Sequence, residues 1–177
     1  MGQADVVIVR RETPNDVDGA RAVQVAAFAR PGSTEEPAEA RLLDALRECT
    51  GWLPTLSIVA IEDDVVVGHV VTTRGFVDDV PALGLGPIGV LPTHQGRGVG
   101  LALMYATIGA ADALGEPLIA LLGSPGYYSR FGFQPSTTIG VTAPDASWGD
   151  YFQVRTLTAH RPTVTGQFRY ASPFESL

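Results

Sequence analysis

The sequence predicts a mixed α/β fold, with a central, mostly antiparallel twisted sheet flanked by helices. Three observations carry this. Residues 56–61 and 65–73 are two apolar, β-branched runs around Glu62-Asp63-Asp64, the pattern of an antiparallel hairpin. Residues 98–114 follow a glycine-rich loop with Val99, Leu103, Ala106 and Ala110 at helical spacing. Leu118–Leu122 is short and wholly apolar, as a buried strand requires.

In chain order, Val6-Val7-Ile8-Val9 reads as a first strand. Thr13-Pro14-Asn15-Asp16 starts a helix, with Thr13 as cap, Pro14 in the first turn and Asp16 as the reciprocal acid. Ala20, Val23 and Ala27 share a face of that helix, with Phe28 beside them. Ser33-Thr34-Glu35-Glu36-Pro37 starts a second helix carrying Leu42, Leu43 and Leu46, and puts Glu35, Glu36 and Glu39 in its first turn. The hairpin follows, then a glycine-rich extended stretch, 83–91, ending at Pro92. After the helix at 98–114 and the strand at 118–122, a short helix around 127–131 is closed by Gly132. Residues 151–157 and 164–170 read as strands. No repeat interrupts this order. The 177 residues fit one domain, 1–177, with a core at 1–135 and a β-rich C-terminal segment at 136–177.

Composition narrows the function. Of the residues, 45% are apolar and 18% charged, which can bury a core. A net charge of −7 argues against nucleic-acid binding, which needs a basic face. All 12 cationic residues are arginine, so the chain has no lysine of its own to acylate. Cys49 is the single cysteine, compatible with a reducing compartment, and it continues the helix face of Leu42 and Leu46 as a buried, inert thiol. Residues 1–9 lack the basic start and long apolar stretch of a signal peptide. The most apolar stretch, 99–111, is shorter than the roughly 20 residues of a membrane span. A cytoplasmic protein that does not enter membranes is expected. His69, His94 and His160 form no ligand-spaced cluster, so no metal is expected.

The most informative segment is Val90-Leu91-Pro92-Thr93-His94-Gln95-Gly96-Arg97-Gly98-Val99-Gly100-Leu101. A strand ends, glycines follow, and a helix begins at once. Helix N-termini present unpaired N–H groups and a positive dipole end, which attract phosphate. Glycines at 96, 98 and 100 remove the Cβ atoms that would hold a pyrophosphate off the backbone. Arg97 can add a charge-assisted contact. Without lysine this is no P-loop. The nearby Gly84-Leu85-Gly86-Pro87-Ile88-Gly89 spells the dinucleotide fingerprint, but Pro87 and Pro92 break the helix that fingerprint opens, so it is rejected.

Gln95-x-x-Gly98-x-Gly100, after a strand ending Ile88-Gly89-Val90-Leu91-Pro92, resembles the acetyl-CoA signature of the GNAT acetyltransferase superfamily. Tyr128-Ser129-Arg130-Phe131-Gly132-Phe133 resembles its Tyr-x-x-x-Gly-Phe segment, at the family's spacing. Leu85-Gly86-Pro87, the double tyrosine and residues 166–174 are similar to a bacterial subgroup of uncharacterised N-acetyltransferases. The resemblance implies a sheet splayed between its fourth and fifth strands and acetyl-CoA as co-substrate. Backbone N–H groups of Gly96, Arg97, Gly98, Val99, Gly100 and Leu101 would hold the pyrophosphate, with Gln95 leading into the loop. Ile88, Gly89 and Val90 would lie along the pantetheine arm, Ile88 and Val90 pairing with it like an added strand. The glycines at 84, 86 and 89 suit such a distorted strand.

The implied reaction passes an acetyl (acyl) group to an amine of a small molecule or peptide through a tetrahedral intermediate. The Val90 N–H would stabilise the oxyanion. Tyr128 would protonate the departing thiolate, since phenol and thiol have ordinary pKa values of about 10 and 8.5. Tyr127 is expected to be structural and to face away from Tyr128. The strand at 83–91 offers no carboxylate as base. His69 shares a strand face with Val67 and Val71 and reads as a satisfied core histidine. Asp78, Asp79 and Asp145 could receive a cationic amine or simply sit in solvated loops. The apolar C-terminal β segment could support a homodimer. Two alternatives stand beside this reading. One is a non-catalytic acyl-CoA sensor on the same fold. The other is a serine hydrolase using Ser124 with Asp150 and His160, against which the elbow's first glycine is missing.

Overall fold

A computed structural model of the chain describes residues 6–176. Residues 1–5, where the expectation of no signal peptide begins, lie outside the described residues. The elements run β1 (Ile8–Arg11), α1 (Val17–Phe28), α2 (Ala38–Glu48), β2 (Ser57–Glu62), β3 (Val65–Val77), β4 (Val80–Val90), α3 (Val99–Ala113), β5 (Leu118–Leu122), α4 (Pro125–Tyr128), β6 (Gln134–Pro135), β7 (Val141–Thr142), β8 (Phe152–Thr156) and β9 (Gly166–Arg169). The main sheet has the order β1-β2-β3-β4-β5-β8-β6, with β9 on the far end of β3 and β7 on β9. Its pairs are antiparallel except β4 with β5 and the short β7 with β9. This is the mixed, mostly antiparallel sheet that the sequence predicts. Among the described residues, no helix is long and apolar enough to cross a membrane.

The hairpin turns at Asp63 and Asp64, both at positive φ (49° and 62°), as a two-residue turn of matching twist needs. Every residue of β2 is buried, because both sheet faces are covered. Ile58 and Ala60 face α3, while Val59 and Ile61 face Ala20 of α1. On the α1 side, Leu42, Leu43 and Leu46 of α2 pack on Val71. The C-terminal half forms its own cluster around Phe152 and Phe168.

Several local expectations shift. The first strand starts at Ile8, two residues late, because its register is set by pairing of Ile8 with Ile61 and of Arg11 with Ile58. The Thr13 start holds: the Asp16 carboxylate accepts hydrogen bonds from the Thr13 N–H (2.8 Å) and hydroxyl (2.7 Å). A 3-10 turn over Pro14–Asp16 precedes α1. The second helix begins only at Ala38, leaving Glu35 and Glu36 on the exposed loop before it; a residue preceding proline is pushed out of helical conformation. Cys49 is the C-cap of α2, half-buried at its end rather than buried along its face. On α3 the buried stripe is Val99, Leu103, Met104, Thr107, Ile108 and Ala111, rotated from the expected face, so Ala106 and Ala110 are only partly covered.

Beneath α1 and α2 lies a buried polar chain. The Gln24 amide nitrogen is 2.9 Å from His69 Nδ1, which must therefore accept. Nε2 then carries the ring proton and donates to Ser57 Oγ (2.9 Å), whose hydroxyl donates to Glu12. Arg47 Nη1 donates to the other Glu12 oxygen at 2.6 Å. His69 is 0% exposed, so the core reading of this residue is correct. Burial would raise the Glu12 carboxyl, but its bonds with His69, Arg47 and Ser57 win and hold it at about 2. Burial keeps the His69 ring below its ordinary value.

These shifts set an acid dependence. A carboxyl with depressed pKa stabilises fully above its unfolded value, 4.5, and loses that contribution as pH falls toward about 2. A buried neutral histidine also costs stability below its ordinary 6.5. Urea denaturation should therefore show Glu12→Gln costing about 3 kcal/mol at pH 7 and clearly less at pH 3.5. An equal cost at both pH values would contradict the assignment.

Candidate active site

Strands β4 and β5 pair only at Leu83–Ile119 and Gly84–Ala120. Beyond them β5 stays with β8 along its whole length, Leu118–Thr156 to Leu122–Phe152, so β4 and β5 separate. At the closed end, Arg74 donates to the Ala82 carbonyl of β4 (3.1 Å) and makes a two-bond pair with Glu116, just before β5 (2.6 Å each). At the open end, Gly86 and Pro87 together oppose Val71 of β3, a bulge that bends β4.

The open edge has a defined polarity. Leu91 N–H donates to the Val67 carbonyl of β3 at 2.9 Å. Backbone groups alternate along a strand, so those of Ile88 and Val90 point into the gap. The Val90 carbonyl accepts there from Gln95 Nε2 at 3.1 Å, in keeping with that direction.

A cavity of about 420 Å³ in this gap brings together Ile88, Gly89, Val90, Gln95, Gly100 and Tyr128 of the expected site, with Tyr127, Ser124, Ala27 and Phe28 added. The remaining expected residues do not line it. Gly96 and Gly98 have φ of 73° and 84°, and a Cβ on either would meet open space, so the loop backbone is bare to a ligand. The first α-helical bond of α3 is Ala102 N–H to the Gly98 carbonyl (3.0 Å), so the N–H groups of Val99, Gly100 and Leu101 precede the ladder. The Val99 side chain itself is buried in the core, and Leu101 lies on the outer face. Arg97 pairs with Glu62 at 2.8 Å, beside His94 at 2.8 Å from the same carboxylate. These two partners outweigh burial and hold the Glu62 carboxyl below its usual range. Arg97 is thus anchored to the hairpin end.

Tyr127 does not face away from Tyr128. The rings stand edge to face, 4.9 Å apart, and the Tyr127 hydroxyl lies over Gly100. Burial, with a smaller effect of Tyr127, pushes the Tyr128 hydroxyl up to about 12. A Cβ on Gly123 would strike the Tyr128 ring, which explains glycine at the end of β5. His160 makes no side-chain bond to Ser124 or Asp150 among the described residues, and Ser57, which does touch histidine, donates away from it to Glu12. The hydrolase arrangement is not formed.

A second cavity, about 590 Å³, adjoins the first and shares Phe28, Ile88 and Tyr128 with it. Sequence reasoning missed most of its walls: Glu39 and Leu42 of α2, and Trp148, Tyr170 and Phe174 from the C-terminal segment. Their distance along the chain hid them, though helical spacing does put Glu39 three residues before Leu42. Burial raises the Tyr170 hydroxyl above its ordinary value. Two of the three expected acidic candidates hold backbone elsewhere: Asp78 Oδ1 accepts from Gln167 N–H (2.9 Å), and Asp145 caps Ser147 N–H (2.8 Å).

A family model described as "Acetyltransferase (GNAT) domain" matches residues 8–136. The uncharacterized N-acetyltransferase YjhQ of Escherichia coli K12 is 34% identical over 150 residues, covering 78% of this chain and 81% of that protein. The crystal structure of the GNAT family N-acetyltransferase YhbS from Escherichia coli, in complex with CoA, superposes with a TM-score of 0.87 at 28% identity, covering 99% of this chain and 95% of that one. A GNAT family acetyltransferase from Brucella melitensis, in complex with acetyl-CoA, gives 0.76 at 32% identity, covering 96% and 99%.

Gly98→Glu puts a carboxylate and a strained backbone at the loop. Acetyl-CoA at about 100 times its dissociation constant should stabilise the wild type by roughly 2.7 kcal/mol in thermal unfolding. The variant should lose this increment, whatever its own Tm. An intact increment would remove the loop from the site.

Proposed function

The chain belongs to the GNAT acetyltransferase family, and on that premise we propose that it passes the acetyl group of acetyl-CoA directly to an amine, with Tyr128 as proton donor to the leaving sulfur. Acetyl-CoA is the co-substrate. The observation that carries the reading is the open edge of β4, where Ile88 and Val90 turn backbone groups into a cavity ending at Tyr128. A pantetheine arm needs such an edge, and the glycine loop with the first turn of α3 offers N–H groups to the pyrophosphate.

In this reading the amine nitrogen attacks the thioester carbon, and Val90 N–H stabilises the oxyanion of the tetrahedral intermediate. The C–S bond breaks, and sulfur takes the Tyr128 proton. Burial keeps the phenol protonated at any working pH, so the proton is in place when the thiolate forms, although the same shift makes it a weaker acid. The acceptor enters through the second cavity, since the two meet at Phe28, Ile88 and Tyr128. A side chain poised over the thioester favours an enzyme over a sensor. The whole chain, 1–177, is proposed to act as one domain, because C-terminal aromatics complete the acceptor cavity of the N-terminal core. A cytoplasmic setting goes with it, supported by the need for acetyl-CoA and the single cysteine. Phe152, Phe168, Tyr170 and Phe174 pack on one another, so a homodimer on this segment would use other residues, such as the exposed Tyr151.

Steady-state kinetics of Tyr128→Phe test the assignment. Turnover should fall by about 100-fold, while KM for acetyl-CoA stays within about threefold, because the hydroxyl acts on the leaving group and not in binding. Wild-type activity should show no loss from Tyr128 ionisation below pH 10, given its pKa of about 12. Unchanged turnover in the variant would exclude Tyr128 as donor.

A further inference from the structure

Resting on the transferase reading, we propose that the acceptor is a small primary monoamine on an aromatic or branched apolar body, without a carboxylate of its own, and that Glu39 receives its ammonium group.

The second cavity has the size of a small-molecule site. Its walls are Phe28 and Leu42 from the helices, Leu122 from β5, and the aromatic surface of Trp148, Tyr170 and Phe174. The last three form a continuous wall: Trp148 and Tyr170 stand edge to face at 6.4 Å, and Tyr170 and Phe174 tilt together at 4.5 Å. Each is only partly buried, so each leaves surface for a ligand. Such a surface gains from covering apolar groups, and aromatic faces also attract a cation.

Glu39 is the one carboxylate among the residues that line this cavity, and no arginine lines it. Three consequences follow from charge. A single ammonium finds one anionic partner. A polyamine or aminoglycoside would bury further cationic groups against apolar walls, which is costly without partners. A free amino acid would bury its carboxylate beside Glu39, with no cation lining this cavity to receive it. The apolar monoamine is the class that leaves no charge unpaired. Glu39 also lines a smaller neighbouring pocket, with Arg30, Arg41, Glu35 and Glu36, so it stands where the two spaces meet and an amine passes inward.

The step balances. The ammonium loses one proton to the Glu39 carboxylate, and its nitrogen forms the C–N bond. The C–S bond breaks, and Tyr128 protonates the sulfur. The attacking nitrogen gives up its second proton as the intermediate collapses, which restores the Tyr128 hydroxyl through solvent, and Glu39 releases its own, so one amide, one CoA thiol and one net proton are formed.

The test is acetyl-CoA-dependent thiol release by the full chain with 2-phenylethylamine, tryptamine, L-phenylalanine and spermidine, each product checked by mass. The first two should exceed the last two in kcat/KM by at least about tenfold, the discrimination expected when a buried charge is left unpaired. L-Phenylalanine differs from 2-phenylethylamine only by its carboxylate, so that pair isolates the charge argument. Glu39→Gln should raise KM for 2-phenylethylamine at least about tenfold and leave the acetyl-CoA thermal shift intact. Preference for spermidine or L-phenylalanine, or an unchanged amine KM in Glu39→Gln, overturns the proposal and leaves the transferase reading standing. No release with any of the four also overturns it, and if acetyl-CoA then fails to raise the unfolding temperature, the transferase reading falls with it.

Discussion

Strand β4 is bound to β5 at Leu83 and Gly84 and nowhere beyond, and the chemistry depends on that separation being held open. A parallel pair left alone would zip onward, since each unpaired backbone group gains from a partner. Two devices prevent it. The Arg74–Glu116 pair, with the Arg74 bond to Ala82, fixes the closed end. The bulge at Gly86 and Pro87, opposite Val71, turns β4 away before it can follow β5. Meanwhile β5 satisfies its other edge with β8. The result is an edge whose backbone groups at Ile88 and Val90 face a cavity rather than another strand.

The helices that roof this edge are held by polar chemistry as well as by packing. Gln24 of α1, Arg47 of α2, Glu12, Ser57 and His69 form one buried chain, and their side chains come from five places in the sequence. Removing one member leaves buried groups unpaired, a heavier cost than losing one exposed bond. The chain fixes α1 and α2 over the sheet, and those helices carry Phe28 and Glu39 to the second cavity. The same network resembles a Ser-His-acid set only in its residue types. Its direction runs from histidine to serine to carboxylate, so Ser57 is not activated.

Much of this was legible in residues alone, where local physics decides. The Asp63-Asp64 hairpin, the loop before α3, the αL glycine closing the turn at Gly132 and the rejection of a dinucleotide helix at 84–89 all rest on short-range signals. What misled was rotation and reach. The burial stripe of α3 follows contacts with β2 and β3 that periodicity does not specify, and Tyr127 turns toward Tyr128 because both pack around Phe131. The second cavity was hidden for a stronger reason. Glu39 and Tyr170 are far apart in sequence and meet only because the C-terminal segment folds back against α2. The Arg97–Glu62 pair was equally out of reach, since only the folded hairpin brings the two together.

The central claim is that the co-substrate lies along the free edge of β4 with its phosphates on the glycine loop. Amide hydrogen exchange with and without saturating CoA measures this directly, because exchange reports each opening amide. The account predicts slowed exchange at Ile88 and Val90, and across 96–101, with little change at the paired strands β1 and β2. Protection confined to other segments, with 88–90 and 96–101 unaffected, would contradict it.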